Sequence, residues 1–175
     1  MDDSKPKVVG ILERNEIVCA KIGAISFEAN LANYFLMQAV SRTLNNSQFS
    51  KELMETSGSD GGKRKIAKIV FKNLITGSDS KKMQRICDKL DKLAQKRNEL
   101  VHASMAIGPN GEVNYFAKGG KAIEMDLASF NKFCLKVIEG YKSVQHELTA
   151  SGYVLSGVLS EAEKQEFLDR KGAPK

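Results

Sequence analysis

A chain of 175 residues is long enough to bury one real hydrophobic core and fits a single domain. Hydrophobic residues make up 42% of it and charged residues 27%, which excludes the disordered and fibrous classes, and no stretch approaches the roughly 18 apolar residues of a membrane span. The formal charge of +6 favours a polyanionic partner over an acidic or neutral role, although the sum does not say where the charges sit.

The three cysteines, Cys19, Cys87 and Cys134, are odd in number, far apart and set among apolar helical positions. A disulfide framework explains them poorly and a reducing compartment explains them better. The polar, charged stretch from Met1 to Lys7 directs nothing out of the cell, so the expected location is the cytoplasm.

In chain order, Ile11, Val18, Ile22, Ile25, Leu31, Phe35, Val40 and Leu44 recur at mostly helical spacing, predicting one long helix from about Val8 to Leu44, or two nearly collinear ones joined near Gly23. Asn45 and Asn46 mark a turn, and Ser47 to Thr56 reads as a short helix capped by its own serine. Ser57 to Gly62 has the composition of a flexible loop. Lys63 to Thr76 resumes helical spacing through Ile66, Ile69, Val70 and Leu74. Gly77 ends that helix, and Ser78 or Asp79 caps the next, from about Ser80 to Ala103, whose apolar side is Met83, Ile86, Leu90, Leu93, Leu100 and Val101.

Gly108 to Gly111 is a turn tetrad between Met105-Ala106-Ile107 and Val113 to Phe116, which predicts a small β-hairpin, and Lys118 to Lys121 reads as a connector. Asp126 then caps a helix from Leu127 to about Ala150 with the stripe Phe130, Phe133, Val137, Tyr141, Val144 and Leu148. Ser160 and Glu163 form a capping-box pattern before a short charged tail. The expected fold class is all-α: an up-and-down bundle of about four main helices over residues 1–155, with the hairpin before the last long helix and a charged tail over 156–175.

On the helix that starts near Ser80, the stripe Ile86, Leu90, Leu93 continues in register onto Arg97. A guanidinium there cannot lose its charge, so it must reach a carboxylate, a partner subunit or a bound anion. His102 stands five residues on and Asn98 precedes it by four, placing amide and imidazole on one side of the helix.

The run Arg97-Asn98-Glu99-Leu100-Val101-His102 resembles the defining motif of the HEPN superfamily, the higher-eukaryote and prokaryote nucleotide-binding domains. The likeness covers about Val8 to Ala150 as an architecture and only these six residues as a motif. It implies a four-helix bundle and an endoribonuclease that needs no metal or other cofactor, working as a homodimer whose two motifs line one cleft. It also implies the company that family keeps: prokaryotic toxins and antiviral defence, with an antitoxin or regulatory protein as a further partner. Some members only bind or scaffold, so a catalytically silent helical module that binds nucleic acid or a protein remains the alternative. The tyrosine found two residues after the histidine in one toxin subgroup is Ser104 here, which puts silencing by nucleotidylation in doubt.

The residue chemistry matches that implication. Cleaving RNA without a metal requires a proton to leave the ribose hydroxyl, charge to be stabilised on phosphorus, and the leaving oxygen to be protonated. His102 suits the proton steps, Arg97 can hold the phosphate bidentately, and Asn98 would orient the imidazole or the phosphate. One histidine cannot be acid and base in the same step, which argues for two copies. Lys63, Arg64, Lys65 and Lys68, with Lys118 and Lys121 beyond the hairpin turn, read either as an RNA-backbone track or as a solvated basic face.

Other features are read more plainly. His146 is expected to be an ordinary surface residue, and Glu28 and Asn30 either face Arg97 across the bundle or face solvent. Gly61-Gly62-Lys63-Arg64 lacks the first glycine, the hydroxyl residue and the preceding strand of a phosphate-binding loop. The cysteines and histidines show no metal-ligand spacing. Tyr34, Phe35, Phe130 and Phe133 are expected in the core.

Overall fold

The computed structural model describes the backbone of residues 4–101, 104–107, 112–116 and 122–153, and the side chains of 16–101 and 125–153. His102, Lys118, Lys121, the hairpin turn and the charged tail therefore lie outside the described residues. Among the described residues there are five helices: α1 (Ser4–Leu44), α2 (Ser47–Thr56), α3 (Asp60–Leu74), α4 (Gly77–Val101) and α5 (Leu127–Ala150). The strands β1 (Ser104–Ile107), β2 (Glu112–Phe116) and β3 (Ala122–Asp126) stand between α4 and α5.

The all-α bundle follows from apolar stripes that have only one another to bury against. The four long helices form a ring in which α1 packs on α5 and α3, and α4 packs on α3 and α5, while short α2 lies against α1 and α3. The centre is filled by Ile25, Leu36, Phe71, Ile86, Leu90 and Phe130, all essentially inaccessible to solvent. No helix among the described residues is long and apolar enough to cross a membrane.

Helix α5 matches its expected bounds and cap. The Asp126 side chain accepts the Ser129 N–H at 2.6 Å, which holds its carboxyl below the usual carboxylate range. Helix α1 is one unbroken helix through Gly23. Its inner face also carries Ala29, Ala32, Leu36 and Ala39, none of them in the expected stripe.

Three local expectations are corrected. Helix α2 is capped by Asn46, whose side chain accepts from the Phe49 N–H at 2.9 Å, and not by Ser47. The loop after it is shorter than its glycines suggest: Ser59 caps α3 by accepting from the Gly62 N–H at 3.1 Å, and Gly61 and Gly62 lie in the first helical turn. A glycine is required at 62, because a Cβ there would stand 2.6 Å from the Ser57 carbonyl oxygen. The hairpin gains a third strand, giving an antiparallel sheet in the order β1-β2-β3 with Tyr115 paired to Met105 and Ile123.

The face that α3 buries also differs from the expected one. Ile69 is 61% exposed and Leu74 is exposed, while Ala67, Val70 and Phe71 are buried. The inward row is thus Arg64, Ala67 and Phe71, at the i, i+3, i+7 spacing of one helix face. Of the four aromatics expected inside, Phe130 is buried and Phe35 and Phe133 pack against the core, but Tyr34 is about half exposed.

All three cysteines are free thiols; Cys19 is exposed, and Cys87 and Cys134 are buried. Burial pushes the Cys87 thiol up to about 12 and the Cys134 thiol up to about 11, since a thiolate is poorly solvated in the apolar interior. At pH 8 both stay protonated and inert. A disulfide reagent added to the native chain should therefore modify one cysteine rapidly and all three only after denaturation; rapid modification of two or more in the native state would contradict this packing.

Candidate functional site

Helix α4 carries Arg97 where the continued stripe places it. Leu90 on the same face is buried, and two turns further along the face Arg97 is half-buried against a cavity of about 400 Å³. The cavity lies where α1, α3, α4 and α5 meet: Ala29 and Asn33 come from α1, Arg64 from α3, Ala94 and Asn98 from α4, and Tyr141 from α5. Ser59, Asp60 and Gly61, at the start of α3, complete its wall.

Close helix approach shapes this wall. Gly140 faces Leu93, and a Cβ at 140 would come within 2.6 Å of a Leu93 methyl. Its absence lets α5 lie tight on α4 and brings the neighbouring Tyr141 to the cavity. Tyr141 is almost fully buried, and desolvation pushes its phenol up to about 12, against the opposing pull of the Arg97 and Arg64 charges.

Of the three partners that a guanidinium at position 97 requires, an internal carboxylate is not met among the described residues. Its Nη1 donates to Asn98 Oδ1 at 3.1 Å, and its Nε is sealed from solvent with no acceptor among the described residues. An unsatisfied buried donor of this kind costs about 1–3 kcal/mol. Glu28 does not supply the missing carboxylate. It is turned to α5, where Gln145 Nε2 donates to Glu28 Oε2 at 2.7 Å and Lys142 Nζ lies 3.8 Å from Oε1, while Asn30 is exposed. The α1 residues that reach the cavity are Ala29 and Asn33, one helical turn apart.

The basic residues of α3 divide between two surfaces. Arg64 points inward at 8% exposure, its Nε donating to Asp91 Oδ1 at 2.6 Å. Lys63 lies 3.6 Å from Asp60, Lys68 is ion-paired with Asp88, and Lys65 is exposed. The hydrogen bond from Lys68 to Asp88 holds its ammonium above the usual lysine range. Lys65, Lys68 and Lys72 border a shallow groove on the outer side of α3 that also contains Ile69 and Gln84. The structure thus brings together Arg97, Asn98 and Arg64, and sets Lys65 and Lys68 apart from them.

His146 is exposed, as expected of a surface residue. Among the described residues no three His, Cys, Asp or Glu side chains gather as a metal site requires. Sequence reasoning missed Asn33, Asp60 and Tyr141 as neighbours of Arg97. Tyr141 was legible as a stripe residue of α5, but nothing local tells which stripe residue meets a charge.

No protein-family model matches the chain, and no curated protein or solved structure matches it.

Proposed function

We propose that this chain is a metal-independent endoribonuclease of the HEPN kind, acting as a homodimer in a prokaryotic toxin or antiviral defence system. The observation that carries the reading is the state of Arg97: a guanidinium on the core stripe, without a carboxylate among the described residues, beside a cavity and five residues before His102. A structural arginine at such a position is ordinarily paired with an acid, as Arg64 is with Asp91.

In this reading His102 of one copy takes the proton from the ribose 2′-hydroxyl. The freed oxygen attacks phosphorus, the bond to the 5′-oxygen breaks, and the second copy's imidazole protonates that oxygen. Arg97 offsets the charge that builds on the non-bridging oxygens, and Asn98, already bonded to the guanidinium, sets its orientation. The products are a 2′,3′-cyclic phosphate and a 5′-hydroxyl end. Lys63, Arg64, Lys65, Lys68, Lys118 and Lys121 are the basic residues assigned to RNA, and the structure alters how they divide: Lys65 is free to meet the backbone, while Arg64 faces the cavity.

The test is incubation of the full chain with mixed RNA in excess chelator. Cleavage that persists, with cyclic-phosphate ends, is the expected result. Intact RNA under every condition, chelated or supplemented with divalent metal, would leave a helical binding module in its place.

A further inference from the structure

The cavity beside Arg97 contains a second guanidinium, that of Arg64, which takes no part in the proton transfers and bond breaking described above. Arg64 enters from α3 with its side chain 10% exposed, and its one acceptor among the described residues is Asp91, on the Nε edge. Asp91 therefore fixes the plane of the group and leaves the Nη edge open. Arg64 Nη2 lies against the first turn of α3, 3.8 Å from the place a Cβ on Gly61 would take. That turn borders the same cavity through Ser59, Asp60 and Gly61, and the first N–H groups of a helix have no acceptor within it.

We propose that this cavity is a phosphate-binding site in which Arg64 and Arg97 grip one phosphoryl group from two helices. Arg97 lines the cavity and supplies a guanidinium whose Nε has no acceptor among the described residues. Arg64 supplies the Nη edge that Asp91 does not occupy. The start of α3 adds backbone donors and the positive end of its dipole. Asp60 opposes the anion from the same wall, with Lys63 at 3.6 Å to offset part of its charge. A volume of about 400 Å³ lies in the range of small-molecule sites and admits a phosphate together with the sugar that bears it. Phosphate binding stands on this geometry alone; that the phosphate belongs to RNA rests on the nuclease reading.

The experiment titrates the full chain with inorganic phosphate, a nucleoside 3′-monophosphate and a 2′-O-methylated RNA that cannot be cleaved. Calorimetry reports affinity, and the ¹⁵N-resolved Nε–H signals of Arg64 and Arg97 report place. Both signals should shift saturably with at least one probe, and the probe that binds most tightly identifies the source. Arg97→Lys and Arg64→Lys should each weaken binding roughly 10- to 100-fold, the loss of one or two charge-assisted hydrogen bonds. Asp60→Asn should tighten it about two- to fivefold by removing a partly solvated like charge.

Absence of a saturable shift with all three probes overturns the proposal, as does unchanged affinity in a folded Arg64→Lys chain. If that variant does not fold, Arg97→Lys and Asp60→Asn decide, and no change in either overturns it. Phosphate bound without RNA cleavage keeps this site and removes the nuclease. Cleavage with a silent Arg64 signal does the reverse.

Discussion

On the proposed mechanism, His102→Ala is expected to lower the rate of RNA cleavage by about 10²- to 10⁴-fold, the usual loss when a positioned proton-transfer group is removed. Arg97→Ala is expected to lower it about 10²- to 10³-fold, as does loss of a fixed donor at a developing oxyanion. The two losses differ in kind. Arg97→Lys keeps the charge but not the planar fork, so it recovers part of the rate, whereas no other side chain at 102 both accepts and returns a proton near neutral pH. Single-turnover cleavage of a labelled RNA, with the melting midpoint of each variant measured alongside, separates lost chemistry from lost fold. A His102→Ala chain that cuts RNA at the parent rate would remove the imidazole from the mechanism.

Phe71→Ala carries the largest expected effect on stability, about 3–5 kcal/mol. The ring is wholly buried on the inner face of α3, and the backbone carbonyl of the same residue accepts a hydrogen bond from Ser80 Oγ at 3.0 Å, which ties α3 to the start of α4. Removing the ring opens a void at the junction that orients Arg64 two turns earlier. For a chain of this size such a loss is roughly a 10 °C fall in the melting midpoint. Ile69→Ala on the neighbouring face serves as the control: that side chain is largely exposed, and a change within about 0.5 kcal/mol is expected. Equal losses in the two variants, measured by urea unfolding, would mean that α3 is rotated from the face described.

Those two variants mark how far α3 could be read in advance. Its existence follows from spacing alone, because Ile66, Val70 and Leu74 recur as a helix requires. Its inward face does not follow, because two apolar rows compete: one through Ile66 and Ile69, the other through Ala67, Val70 and Phe71. Choosing between them moves Arg64 from solvent to interior, a turn of about 100°. Alanine carries little hydrophobic weight in such a choice, yet Ala67, like Ala32 and Ala39 on α1, is fully buried.

The strand Ala122–Asp126 escaped for a related reason. Five residues beside a glycine-rich connector give too short a pattern, and pairing to Glu112–Phe116 is a nonlocal event. The short loop before α3 escaped because glycine reads as flexibility, whereas Gly62 serves the close approach of the Ser57 carbonyl.

Local order, read from sequence, determined the helical class of this protein, the bounds of α5 with its Asp126 cap, and the position of Arg97 on an apolar stripe, since each depends on residues within a turn or two. Which groups meet that arginine was decided by tertiary packing alone. Ala29 and Asn33 rather than Glu28, Arg64 rather than a surface lysine, and the start of α3 rather than a loop surround it because helix rotation and approach are set by how four stripes interlock. That is a property of the whole bundle and of no single segment.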